Sequence, residues 1–293
     1  MNRKETVLLK TAIILFTWVF MTCFVSAQEK SKLGNLRFYL SEDKSSYAGI
    51  VALNQIWSRY TWYNPDNNGV ERGGDFDLGI RRSRMIFYAS LLDKCFMYTQ
   101  IGMDGQTFKG QRNPPMMVIN AETEYQFFKD KLSVGFGLNT WNGVSRYNNC
   151  KILEFLVVDN PGFAYPVGGT DDQLGRQLGI YAKGNLSRLH YRVSVAKPFQ
   201  SGGSTPVDMQ TSEILNSNLA YKGFFEWQFF DIESQTMPYL SMNNLGRAKL
   251  LNIGAGVYYH PEATHGSWND RYQLNDIFLA GIDKFLDMPL KNG

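Results

Sequence analysis

The sequence is poor in the residues from which most catalytic and metal sites are built. It has three cysteines and three histidines in 293 residues. Cys23 falls in the apolar N-terminal segment, which leaves Cys95 and Cys150, and two cysteines do not make a disulfide scaffold. A Ser/His hydrolase needs a histidine held by an orienting group. His190 instead sits between cations in a strand-like segment, where lining a wall is the simpler role. In His260-Pro-Glu-Ala-Thr-His265 the spacing is not the helical one of a zinc protease, and Pro261 argues against a helix. Asp66-Asn-Asn-Gly69 lacks the twelve-residue ligand pattern of a calcium loop and reads as a tight turn. No enzyme, metal or cofactor is therefore expected.

Two other things are scarce. Beyond the N-terminus no run of ~18 consecutive apolar residues occurs, so no transmembrane helix is expected there. Charge of one sign is not in excess either. The formal balance is +3, which gives no bulk support for a nucleic-acid partner.

What the chain does have is aromatic residues, 14 % of the total, with 16 Tyr and 20 Phe. That suits β-structure, and it suits a barrel with aromatic girdles at two membrane interfaces. Charged residues at 19 % and apolar residues at 44 % exclude a disordered chain and a helical membrane bundle. Residues 1–27 read as a cleaved signal peptide. Arg3, Lys4 and Lys10 precede an apolar stretch from Thr11, and Val25-Ser26-Ala27 makes a small-residue cleavage site. The expected destination is the cell outer membrane.

A polar segment, 28–48, comes next. From Gly49 to the end, segments of about ten residues alternate apolar and polar positions, which is the signature of a transmembrane barrel strand. Ten antiparallel strands are predicted, at 49–62, 76–91, 95–106, 115–128, 131–140, 176–184, 188–198, 217–230, 248–260 and 275–284. In the seventh, Leu189, Tyr191, Val193 and Val195 share one face; Arg188, His190, Arg192 and Ser194 share the other. In the eighth, Leu219, Tyr221, Phe225, Trp227 and Phe229 oppose Lys222, Glu226 and Gln228.

A soluble sandwich would turn the apolar face to its core, whereas a barrel turns it to lipid. Connection lengths favour the barrel. Short connections at 92–94, 129–130 and 185–187 alternate with long ones at 63–75, 107–114, 141–175, 199–216 and 261–274, and only 231–247 breaks the alternation. Mid-strand Arg, Lys, Glu and Gln point the same way, since a dry core does not accept them unpaired. The loop 141–175 either folds inward and narrows the lumen or hangs outside.

Three runs carry a resemblance: Asp77-Leu-Gly-Ile-Arg-Arg-Ser-Arg84, Lys131-Leu-Ser-Val-Gly-Phe-Gly-Leu-Asn-Thr-Trp-Asn-Gly-Val-Ser-Arg146, and Gln177-Leu-Gly-Ile-Tyr-Ala-Lys-Gly184 leading into Leu189-His-Tyr-Arg-Val. From about residue 75 onward the chain resembles the phosphate-selective porin O and P family, Bacteroidetes-type members in particular. The resemblance implies a sixteen-stranded, homotrimeric, anion-preferring outer-membrane channel. Ten strands are fewer than sixteen, and Lys291-Asn-Gly293 is not the strand with a terminal aromatic that closes family barrels. The chain is therefore expected to be C-terminally incomplete, with the strand at 49–62 left without a closing partner near 275–293.

A pore's chemistry is its lining. Cations over a water-filled lumen favour anions, and Arg grips phosphate or carboxylate bidentately. The candidate pore-lining residues are Arg82, Arg84, Lys183, Arg188, Arg192 and Lys222, with Arg146 and Arg176 flanking the long loop. Each could instead pair with a wall carboxylate such as Glu122, Glu124 or Glu226. The function expected is passive diffusion of small, anionic, phosphate-like solutes across a lipid-embedded wall. The alternative is a barrel-anchored surface protein whose long loops bind a partner. A soluble exported glycan-binding module is a third reading.

Overall fold

The computed structural model describes residues 36–65, 69–70, 73–107, 110, 113–140, 143–151, 154, 167, 175–198, 213–214, 218–268 and 271–290. The expected signal peptide, most of 66–69 and much of the 141–175 loop lie outside the described residues.

The strands are β1 (Leu36–Tyr39), β2 (Tyr47–Trp62), β3 (Gly74–Leu91), β4 (Cys95–Thr107), β5 (Met117–Phe128), β6 (Leu132–Asn139), β7 (Gln177–Leu186), β8 (Leu189–Lys197), β9 (Glu213–Ile214), β10 (Ala220–Gln228), β11 (Leu250–Trp268) and β12 (Arg271–Asp287). Eleven of them form one antiparallel meander, each paired with its neighbour in sequence, and the two-residue β9 pairs with β11 off that path. The fold is all-β and barrel-like. Among the described residues the sheet is open, because no ladder joins β12 to β1 or β2.

All ten expected strands are present. The structure adds β1, which pairs with Tyr47–Ile50 and leaves the rest of β2 as an edge. It also corrects one connection. Residues 261–274, read as a long loop, are mostly strand: β11 and β12 pair from Leu250↔Asp287 to Trp268↔Arg271. Pro261 sits where the register shifts between His260 and Thr264, and such an irregularity tolerates a residue without an N–H.

Alternation sets the two faces. The convex face carries large apolar side chains in the open, with Phe136 63 %, Ile180 62 %, Phe278 65 % and Ile282 82 % exposed. The opposite face holds the buried charges, including Arg84, Glu124, Lys183, Arg192 and Glu226. No described helix is long and apolar enough to cross a membrane.

The concave side is not empty. The connection from β10 to β11, residues 229–249, turns inward in place of forming a hairpin. Alternate residues Glu233, Gln235, Met237 and Tyr239 reach the wall, and together they touch β4, β5, β7, β8 and β11. A sheet can meet one short segment at so many strands only by curving around it. The described part of the β6–β7 connection also folds inward. Its single 3-10 turn, Arg146–Asn149, is capped by Ser145, whose backbone N–H and hydroxyl both donate to Asn148 Oδ1. This loop seats on glycine: a Cβ at Gly256 would collide with the carbonyl oxygens of Gly143 and Val144. The two inward segments meet. Leu240 N–H donates to Asn149 O (2.7 Å) and Lys151 N–H donates to Leu240 O (3.2 Å). Glu154 accepts from Ser241 Oγ (2.6 Å) and from the Met242 N–H (3.0 Å).

Candidate functional site

Of the eight candidate cations, seven lie buried on the concave side. The structure gives each of the seven a specific holder.

Arg146 is at the centre of the densest cluster. Its guanidinium pairs with Glu226 (2.9 Å) and with Glu233, and donates to Ser241 O (2.6 Å). Its plane lies over the Phe285 ring at 4.2 Å, and its backbone N–H donates to Asp283 Oδ2 (2.7 Å). Burial alone would lower its pKa, but Glu226 and Glu233 outweigh that and raise it above the ordinary value, so the charge is permanent. One side chain thereby ties the β6–β7 loop, β10, β12 and the 229–249 segment together.

The others follow the same pattern. Arg192 donates to Pro238 O (2.6 Å), Gln235 Oε1 (2.8 Å) and His190 Nε2 (2.9 Å), which holds the inward segment against β8. Lys183 pairs with Glu124 across β7 and β5 at 2.8 Å. Lys222 donates to Gln177 Oε1 (2.8 Å), and Gln177 donates to the Tyr258 hydroxyl (2.9 Å). Arg176 donates to Asn120 Oδ1 (3.2 Å) and to the Tyr239 hydroxyl (3.1 Å). Arg82 donates to Gln55 Oε1 (2.7 Å). Arg84 forks onto Asp104, with Nη2 2.7 Å from Oδ2.

Arg188 is the exception and corrects its expected position. It is exposed at the short-turn end, where one guanidinium nitrogen donates to Gln228 O, Phe229 O and Phe230 O at 2.8–3.1 Å. It lies at the last residue before β8, so alternation no longer fixes its direction, and the carbonyls of Gln228, Phe229 and Phe230, at and just past the end of β10, hold it. Of the carboxylates weighed as partners, Glu124 and Glu226 are ion-paired, and Glu122 accepts from Asn120 (3.1 Å).

The β2–β4 part of the concave face differs. It presents Val51, Leu53, Ile86, Tyr88, Phe96 and Tyr98. Tyr88, Phe96 and Tyr98 form a buried cluster on which Met237 and Tyr239 of the inward segment pack, with the Tyr98 and Tyr239 rings 5.8 Å apart, edge to face. Between this wall and the inward segments is a cavity of about 610 Å³. A second, of about 480 Å³, opens at the short-turn end by Asp93, Lys94 and Asp130, and the two share Tyr47, Phe96 and Thr236. The two therefore lie side by side along the inward segments. A third cavity, of about 220 Å³, lies at the far end of β2 and β3, where Arg81 stacks over Trp57 at 5.4 Å beside Arg59 and Asp77.

Sequence reasoning missed the whole 229–249 segment, along with Arg37, Arg59 and Arg81. The spacing Glu233, Gln235, Met237, Tyr239 keeps a strand's period of two, and that is the signal that could have found it. Pro238 and the surrounding Ser and Thr hid it. Cys95 and Cys150 are both free thiols. Cys150 lies buried in the inward loop, its thiol donating to Tyr147 O (2.9 Å), and burial pushes it up to about 12. Among the described residues no group of three or more His, Cys, Asp or Glu could hold a metal.

No family model matches the chain, and no curated protein matches it.

Proposed function

We propose that the chain builds the wall of an outer-membrane porin that passes small hydrophilic solutes through a constricted, cation-lined lumen. One observation carries this reading: the faces are inverted relative to a soluble protein. A band of Phe, Ile, Leu and Val is open on the convex side while Arg, Lys and Glu are enclosed on the concave side. Exposed apolar surface on that scale marks a membrane or a partner, and alternating strands put it toward lipid in a transmembrane barrel. In lipid both sheet edges must be paired, so the functional wall requires strands that join β12 to β2. A sixteen-stranded homotrimer, as the resemblance to phosphate-selective porins implies, would meet that requirement.

The solute's path in this reading runs by the two adjacent cavities beside the inward segments. Most of the buried cations act on it indirectly, by holding those segments in place. Among the described residues the lining of the 610 Å³ cavity carries four cations, Arg37, Arg84, Lys151 and Arg176, with Asp104 paired to Arg84 and Glu154 to Lys151, and that balance favours anions.

The second reading, a barrel that anchors external loops for a partner, draws support from the inward segments, which fill much of the concave side. Planar-bilayer recording on protein purified from native outer membranes separates the two. Ohmic steps with reversal potentials shifted toward the anion are expected. Recovery in the soluble fraction, or a membrane protein with no conductance, overturns the pore.

A further inference from the structure

We propose that the cavity of about 220 Å³ at the long-connection end of β2–β4, around Trp57, Arg59, Asp77 and Arg81, is a binding site for an uncharged monosaccharide. This deepens the pore reading by naming a solute class, and rests on it only in taking the wall as one that solutes cross.

The backbone makes the notch. By alternation Trp57 and Arg59 share the concave face with Val51 and Leu53. Trp57, Gly79 and Thr107 stand in one row across β2, β3 and β4, and Arg59 faces Asp77 in a row beyond it. Gly79↔Thr107 is the last pair of the β3–β4 ladder, so Asp77 has a described strand neighbour on the β2 side alone. Gly79 brings no side chain into the row, and none would fit, because a Cβ there would lie 2.6 Å from Gln106 O. Both ladders skip Arg81. The β2–β3 ladder passes from Gln55↔Arg82 to Ile56↔Ile80, and the β3–β4 ladder from Arg82↔Asp104 to Ile80↔Gln106. An extra residue of this kind re-aims a side chain. Here it brings the Arg81 guanidinium over the Trp57 ring, at 5.4 Å.

One atom decides the chemistry of the ligand. Asp77 is 8 % exposed and lines the cavity, yet its Oδ1 meets no hydrogen-bond donor among the described residues. Its Oδ2 takes a long contact, 3.4 Å, from Arg59 Nη2, and the Arg59 side chain is 60 % exposed. A buried acceptor left without a donor is costly, and a ligand recovers that cost by bringing an N–H or an O–H. Phosphate and carboxylate anions bring neither, and they set their charge against Asp77. An ammonium brings the donor but meets Arg59 and Arg81 on the same lining. A neutral hydroxyl meets neither repulsion. It also donates and accepts at once, so one hydroxyl of a sugar can donate to Asp77 while its neighbour accepts from Arg59. Trp57 adds an indole N–H and carbon surface on which the C–H face of a pyranose packs. The volume lies below the range of about 300–1,000 Å³ typical of drug-sized ligands, which suits one ring and not a chain of them.

The test is equilibrium dialysis of the detergent-solubilised chain with D-glucose, D-glucuronate and D-glucosamine, one ring in three charge states, at a mildly acidic pH where the amine is protonated. Glucose should saturate at one site per chain and bind about fivefold or more tighter than either charged ring. Arg59→Gln, at an exposed position, should weaken glucose about threefold or more. Asp77→Asn keeps the size and removes the charge. It should weaken glucose about tenfold and, with the repulsion gone, leave glucuronate the tighter of the two. A merely structural Asp77 would weaken both alike, and that result overturns the proposal. So does the absence of saturable glucose binding, tighter binding of either charged ring by the wild type, or wild-type glucose affinity in Arg59→Gln, which decides the matter even where Asp77→Asn fails to fold. Bilayer recording keeps the two readings apart. Glucose binding without conductance sinks the pore and leaves the site, whereas conductance without glucose binding does the reverse.

Discussion

The concave face is two surfaces. From β5 to β11 it is charged, and the charges are spent on contacts: Lys183 on Glu124, Arg146 on Glu226 and Glu233, Arg192 on the 229–249 segment. From β2 to β4 it also holds Arg82 and Arg84, but over Val51, Leu53, Ile86, Tyr88, Phe96 and Tyr98 it is apolar and aromatic, and there it borders open space. The difference separates two tasks that a cation-rich strand pattern lumps together. A buried ion pair contributes little net stability once desolvation is counted, but it is intolerant of misplacement, so it fixes where a segment sits. The charged half therefore positions the inward segments. The apolar half, which holds nothing so firmly, borders the cavity where the proposed pore would give a solute room.

The sharpest way to break this comparison is to unclamp the charged half. Arg146→Ala leaves Glu226 and Glu233 facing one another without their cation. Removing one partner of a buried pair costs about 3–5 kcal/mol. The urea midpoint followed by tryptophan fluorescence should fall accordingly, and single-channel conductance should rise as the inward segments loosen. A midpoint within error of wild type would mean that the clamp is not what holds them.

Gly256→Val attacks the same half by shape. The new side chain meets the carbonyls of Gly143 and Val144, and overpacking of this kind costs about 1–3 kcal/mol. Cys150 reports where the loop goes. Buried, with its pKa pushed up to about 12, it should resist maleimide at neutral pH in the wild type while Cys95 labels. In the variant, peptide mapping by mass spectrometry should find Cys150 labelled as well. Protection of Cys150 in Gly256→Val would show that the loop can shift without leaving the wall.

Tyr239 stands on the boundary between the halves. Burial holds its pKa above the ordinary tyrosine value. A raised pKa gives stability that is complete below the unfolded value of about 10 and is lost as pH climbs from there toward the folded value. Urea midpoints measured from pH 8 to 11 should decline above about pH 10. Tyr239→Phe should flatten that decline and cost about 1 kcal/mol at pH 8, through the hydroxyl bonds to Asn120 and Arg176. An unchanged pH profile in the variant would assign the alkaline loss to other tyrosines.

How much of this the sequence announces follows from what a two-residue period reports. It reports faces, which is why Arg82, Arg84 and Tyr88 are found opposite Met85 and Phe87, and why Lys222 and Glu226 are found opposite Phe225 and Trp227. It says nothing about what stands in front of a face. Glu226 reads equally well as lining water or as holding Arg146, which is 80 residues away. The period also fails at strand ends, as with Arg188. It misses pairing that resumes past an irregularity, as in β11 beyond Pro261, where composition suggested a loop. The polar residues of the concave face were legible as a set, and their individual employment was not.

The smallest effect belongs to the apolar half, and it is the more telling for being small. Leu53 is half-buried on the cavity wall, pairs through its backbone with Arg84 of β3, and is not among the apolar residues packed on the Tyr88, Phe96 and Tyr98 cluster. Leu53→Gln removes apolar surface that borders space and does not empty a packed core. It should therefore shift the urea midpoint by no more than the equivalent of about 0.5 kcal/mol. The charged half offers the matched control. Gln177→Leu, also a swap between Leu and Gln, removes an acceptor from Lys222 and a donor to Tyr258 inside the wall, and should cost about 1–3 kcal/mol. If the two halves do different work, the substitutions should also part in transport. Leu53→Gln should change single-channel chloride conductance at near-wild-type stability, whereas Gln177→Leu should lower stability. Equal destabilisation by both would mean that the β2–β4 face is core like the rest and that the space beside it is incidental.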